Sequence, residues 1–185
     1  TNNTTSEVQN CGNDMAYLWE ITSFAPGSCG TTASYTMKEG AATITNGPST
    51  SKNTSIEFKN PGIYTVRLSA TNNCGPNSKL DTIVVKAPPK VSINSIATLC
   101  QTFPETVIKP TATVVNCGNG SLTYEWSFPG ATPALSTDPV PGDIKYLSAG
   151  NHTIELKVTN ECGVSTTASR TFTIKPQPSI TSTLV

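Results

Sequence analysis

A chain of 185 residues is long enough for one large domain or two small ones, and its 12 basic residues balance 12 acidic ones. That neutrality leaves no electrostatic footprint for nucleic acid or an anionic membrane. No apolar run approaches the roughly 20 residues that span a bilayer, so membrane insertion is not expected.

Thr, Ser and Asn abound, good helix formers are sparse, and 14 Pro with 13 Gly punctuate the chain, which together predict an all-β fold. In chain order, the first landmark is Asn10-Cys11-Gly12-Asn13. Next comes Tyr17-Leu18-Trp19-Glu20-Ile21, whose alternation predicts a half-buried strand. A long segment containing Cys29 leads to residues 62–75, where Tyr64, Val66, Leu68 and Ala70 share one face and Thr65, Arg67, Ser69 and Thr71 the other. Residues 83–86 read as a closing strand, and Pro88-Pro89 as a semi-rigid connector.

The same landmarks then return in the same order: Asn116-Cys117-Gly118-Asn119, Tyr124-Glu125-Trp126-Ser127-Phe128, residues 150–163 with Ile154, Leu156 and Val158 on one face, residues 172–175, and Pro176 with Pro178. Repetition in order marks two tandem modules, residues 1–88 and 89–178, with residues 179–185 the start of a further repeat or a linker. Residues 91–106 have no counterpart ahead of Thr1. The first module is therefore expected to lack its first strand, and the chain reads as a piece of a longer array.

Trp19, Tyr64 and Trp126 fall on inward parity and are the expected core residues. Burying each such aromatic is worth roughly 2–3 kcal/mol, so each Trp is read as the centre of a small core rather than as an exposed ligand-stacking platform. Six cysteines and one histidine, with no C-x-x-C spacing, favour disulfides over zinc. Disulfides imply an oxidising compartment: extracellular, cell-surface or secreted.

Two motifs carry a resemblance. The W-x-[IF] strand stands at Trp19-Glu20-Ile21 and Trp126-Ser127-Phe128, and a G-x-Y-x-V-x-L-x-x-x-N-x-C-G pattern at residues 62–75 and 150–163. These resemble the PKD family of immunoglobulin-like domains, in particular the PKD-like modules of large Bacteroidota surface proteins and gliding adhesins. The resemblance implies two tandem immunoglobulin-like β-sandwiches acting as spacers or adhesive modules, and a bacterial surface context in which Thr82, within Asp81-Thr82-Ile83, is a possible O-glycosylation site. Two departures stand out: His152 replaces the pattern's tyrosine, and the first copy is longer between Trp19 and Gly62.

Residues with chemical potential are few. His152, the sole histidine, lies where Tyr64 lies in the first copy, so it is expected to bond back to the backbone as the corner tyrosine of such folds does, rather than to serve catalysis. Asp138 and Asp143 flank a Pro-rich turn and could gather calcium, but two carboxylates are few for a cation that takes six to eight oxygens. They are read, with Asp14 and Asp81, as surface charges. Sequons at Asn2, Asn3, Asn53, Asn119 and Asn151 are expected by chance in so Asn- and Thr-rich a chain.

In a sandwich of this topology the loops after strands B and F lie at one end, which leads to the expected disulfides Cys11–Cys74 and Cys117–Cys162. Cys29 and Cys100 have no counterparts. They can join each other across the linker, which is the expectation, pair with partners outside residues 1–185, or stay free. No catalytic constellation can be assembled, so the chain is not expected to be an enzyme and needs no cofactor. The expected function is a structural and adhesive repeat segment of a large secreted or surface adhesin, in gliding motility or attachment. Its partners would be neighbouring repeats and surface glycans or proteins. The alternative is a spacer or polysaccharide- or protein-binding accessory module of a secreted hydrolase.

Overall fold

A computed structural model describes residues 14–179. Strands and turns account for its regular structure, with no helix among the described residues, and the chain divides into two units, residues 1–86 and 87–185. Expectations that fall on Asn2, Asn3, Cys11 and residues 180–185 lie outside the described residues.

Unit 1 contains β1 (Ala16–Ala25), β2 (Tyr35–Glu39), β3 (Ala42–Thr45), β4 (Ile56–Phe58), β5 (Gly62–Asn72) and β6 (Gly75–Val85). They form two three-stranded sheets, β1-β5-β6 and β3-β2-β4. Alternation decides which side of β5 faces inward. Tyr64 and Val66 are buried, while Arg67 on the opposite side pairs with Glu20 directly across the ladder at 2.5 Å. Tyr35, Met37 and Tyr64 are the buried centre, with Trp19, Ile21, Phe24, Ile56 and Phe58 packed around them. The long segment between Trp19 and Gly62 thus supplies core of its own, through Tyr35 and Met37 on β2.

Unit 2 contains β7 (Lys90–Ile93), β8 (Leu99–Cys100), β9 (Thr106–Ile108), β10 (Ala112–Val115), β11 (Thr123–Ser127), β12 (Ala131–Thr132), β13 (Leu135–Ser136), β14 (Ile144–Tyr146), β15 (Gly150–Asn160), β16 (Gly163–Val164) and β17 (Ala168–Lys175). One layer runs β13-β11-β15-β17-β8, with β16 paired to β15; the other is built from β12-β14-β9 and the pair β10-β7. All pairings are antiparallel except β17 with β8. Between the layers lies a continuous core that includes Trp126, Phe128, Tyr146, Ile154, Leu156, Val158 and Phe172. This is an immunoglobulin-like β-sandwich, in which the opening stretch of the unit serves both layers, β7 pairing with β10 and β8 crossing to pair in parallel with β17.

The two units repeat one another in register. Trp19 stands opposite Leu68 as Trp126 stands opposite Leu156, and Tyr64 stands opposite Ile83 as His152 stands opposite Phe172. Each indole N–H donates to a loop carbonyl, Trp19 to Ser51 at 3.2 Å and Trp126 to Asp138 at 3.1 Å. Gly62 and Gly150 open the long strand at φ of 149° and 130°, which side-chain-bearing residues rarely adopt. At Gly62 a Cβ would also lie 2.4 Å from the Phe24 ring.

One expectation about the core needs correcting. Trp126 is 1% exposed and central, but Trp19 is only partly buried and sits at the margin of a cluster centred on Tyr64. The reason is cover. In unit 2 the Trp end of the sheet is closed by Val91 and Ile93 of β7 and Val114 of β10, and no described strand of unit 1 takes the place of β7.

Candidate functional site

The most organised polar constellation of unit 2 is the loop end formed by Ala87, residues 116–120 after β10, and the turn 160–163 after β15. Asn160, 7% exposed, uses its whole amide. Its Nδ2 donates to the Ala87 carbonyl at 2.9 Å and to Asn116 Oδ1 at 3.0 Å, and its Oδ1 accepts from the Cys162 N–H at 2.8 Å. Ala87 in turn donates its N–H to the Cys117 carbonyl at 3.1 Å.

Beside it, the Glu161 carboxylate accepts the N–H of Asn119 at 2.7 Å and of Gly120 at 2.9 Å. A Cβ on Gly118 or Gly120 would lie 2.5 Å from that carboxylate, so the Gly-Asn-Gly spelling is what lets the backbone wrap it. Glu161 was not among the residues singled out from sequence. A Gly-x-Gly loop facing an acid across a turn was the available signal. In unit 1 the corresponding acid position is Asn73.

The cysteines at this end depart from expectation. Cys117 is disulfide-bonded, but Cys162 is a free, exposed thiol, so the expected Cys117–Cys162 bridge is not formed. The reason is that the Cys117 sulfur is committed to another bond, and the turn that presents Cys162, held by Asn160 as Asn72 holds Cys74 in unit 1, does not by itself decide pairing. Cys29 and Cys74 are disulfide-bonded and Cys100 is free and exposed, so the expected joining of Cys29 to Cys100 is not formed either. Cys100 lies on the outer strand β8, where its backbone pairs with Lys175.

His152 is placed as expected. Its Nε2 donates to the Ser148 carbonyl at 3.1 Å, and Tyr64 Oη in unit 1 donates to the Asn60 carbonyl at 2.8 Å, in each case four residues upstream. The ring packs on Tyr146 at 4.3 Å as Tyr64 packs on Phe58 at 4.5 Å. Tyr146 is fully buried, its hydroxyl has no partner, and burial pushes its phenol above the ordinary range.

Asp143 pairs with Lys109 at 3.4 Å, and Asp138 accepts the Trp126 indole on its carbonyl while its N–H donates to Ser136 Oγ. Among the described residues no group of three or more His, Cys, Asp or Glu could hold a metal ion. Thr82 is exposed on β6, its N–H donating to Asp81 Oδ1 at 2.8 Å.

No protein-family model matches the chain, and no curated protein matches it. Among solved structures it is similar to the fibronectin(III)-like modules of Clostridium thermocellum CbhA, at 17% identity over 77% of this chain and 78% of that one, with a TM-score of 0.37. It is also similar to the PKD domain from human KIAA0319, at 17% identity over 53% of this chain and 92% of that one, TM-score 0.34. A third, chicken CNTN1 FN1-FN3 domains, is matched at 15% identity over 81% of this chain and 60% of that one, TM-score 0.38.

Proposed function

We propose that the chain is a non-catalytic structural segment, a pair of PKD-like sandwich modules that space and present adhesive surfaces in a secreted or cell-surface protein. The observation that carries this reading is the fate of its one histidine. His152 does in unit 2 the work Tyr64 does in unit 1, tying a strand to the carbonyl four residues before it, which spends on architecture the only imidazole available for acid–base chemistry. Cystines at Cys29, Cys74 and Cys117 support an oxidising, extracellular setting.

The finer reading is attachment or gliding on a bacterial surface, with O-glycosylation at Thr82 as an accompanying modification. Its test is a glycan array and a cell-surface binding assay with the purified chain, beside intact-mass measurement of protein from its native host. Turnover of a glycosidic, ester or peptide substrate that disappears in His152→Ala but survives in a comparably destabilised core variant would sink the non-catalytic reading.

A further inference from the structure

Asn-Gly occurs twice in the chain, at Asn46-Gly47 and Asn119-Gly120. It is the dipeptide most open to self-modification, because glycine carries no side chain to keep its nitrogen off the neighbouring carboxamide. The two copies are held in opposite ways. At Asn46 the side chain is tied: its Oδ1 accepts the Tyr35 N–H at 2.9 Å, and the Asn46 N–H donates to the Tyr35 carbonyl at 3.0 Å. At Asn119, exposed after β10, it is the backbone that is tied. The N–H groups of Asn119 and Gly120 donate to Glu161 at 2.7 and 2.9 Å, and the Gly120 carbonyl accepts from Asn116 Nδ2 at 2.8 Å.

Glycine at position 120 is both requirement and hazard. A Cβ there would lie 2.5 Å from a Glu161 carboxylate oxygen, so a larger residue would keep the acid from closing on the loop. The same missing side chain leaves the Gly120 nitrogen open to the Asn119 carboxamide. What stands in the way is Glu161. Attack requires the Gly120 nitrogen to give up its proton, and an amide anion forming against a carboxylate is disfavoured by like charge. Held at its N–H by Glu161 and at its carbonyl by Asn116, Gly120 does not turn onto the Asn119 side chain until the turn opens.

We propose that Asn119 is a self-modification site whose rate is set by Glu161. When the turn 160–163 lifts away, the Gly120 nitrogen bonds to Asn119 Cγ and the Cγ–Nδ2 bond breaks. Ammonia leaves, carrying Nδ2 and the proton that Gly120 gives up, and a five-membered succinimide remains. Water then adds to one of its two carbonyl carbons and opens the ring, leaving an aspartyl or isoaspartyl link at position 119 with a new carboxylate. That charge repels Glu161, and the isoaspartyl link adds a methylene to the backbone, so the loop does not close on the acid again. A transient local opening thereby becomes a permanent loosening of this end of unit 2. The inference goes beyond the spacer reading and does not depend on it.

Peptide mapping of the full chain, held folded at mildly alkaline pH, tests the idea, with products at positions 46 and 119 resolved by mass and retention. Glu161→Ala is expected to deamidate at Asn119 at least about tenfold faster than the parent, with Asn46 unchanged. Glu161→Gln keeps an acceptor but loses the charge; it should fold as the parent does and also exceed the parent rate at Asn119. Phe172→Leu loosens the core of unit 2 beside His152, at the other end of β15, and should leave the Asn119 rate at the parent level. Rates at Asn119 no higher in the two Glu161 variants than in the parent, or the same acceleration in Phe172→Leu, overturn the proposal.

Discussion

The His152 and Tyr146 rings lie tilted against one another with centroids 4.3 Å apart, and between them they redistribute the polar groups that Tyr64 and Phe58 carry at the same positions of the other module. In unit 1 the hydroxyl sits on the corner residue and finds the Asn60 carbonyl. In unit 2 the corner residue bonds through a ring nitrogen, and the hydroxyl has moved to Tyr146, where nothing accepts it.

The corner itself gives the first prediction. His152→Ala removes the bond to Ser148 and the ring face against Tyr146 and Phe172, and should cost about 2 kcal/mol in urea unfolding of unit 2. His152→Tyr, which restores the unit 1 arrangement, should stay within about 1 kcal/mol of the parent. Equal losses for the two variants would show that the nitrogen bond is not what the position needs.

Tyr146→Phe should raise stability, because it deletes a buried hydroxyl whose desolvation is uncompensated, a penalty of about 1–3 kcal/mol. Its pH dependence has a definite sign. Burial raises the folded-state phenol above the unfolded one, so the unfolded chain loses this proton first. The neutral phenol's contribution is therefore complete below about pH 10 and falls away as pH rises through the folded value. Parent and Tyr146→Phe denaturation curves should diverge further as the solution is made alkaline.

At the loop end of unit 2, Glu161→Ala removes two N–H acceptors and should cost about 1.5–3 kcal/mol, with amide exchange quickening first at Asn119 and Gly120. Gly120→Ala should act at the same amides, because its Cβ would press on the carboxylate. Asn160→Asp keeps the acceptor for Cys162 but loses both donors, so its damage should appear at Ala87 and Asn116 instead.

Thiol labelling under native, non-reducing conditions should modify peptides containing Cys100 and Cys162, while those containing Cys29, Cys74 and Cys117 react only after reduction. Cys162→Ser should leave the melting temperature unchanged. A Cys117–Cys162 cystine in the peptide map would reverse this assignment.

Much of this protein is local enough to read from its spelling. Period-two alternation set the inward faces of β5 and β15, and the position of His152 two residues after Gly150 set its bond, because a strand fixes side-chain direction and an i−4 carbonyl is always near. The serine of the Trp bridge escaped notice. Ser49 pairs with Trp19 as Ser136 pairs with Trp126, but the β2–β3 hairpin in unit 1 changes the spacing, and only the ladder aligns them. Met37 escaped for the same reason.

Two things were decided by tertiary structure alone. Which cysteines are bonded depends on whether loops far apart in sequence bring their Cα atoms within about 4.4–6.8 Å, a distance that residue spacing does not encode. Likewise the parity of Leu68 and Ala70 says that they face a second layer, but not that the layer reaches them. Burial requires another strand in place, and only the folded modules reveal that β7 supplies it over Leu156 and Val158 while the same face stays partly open over Leu68 and Ala70.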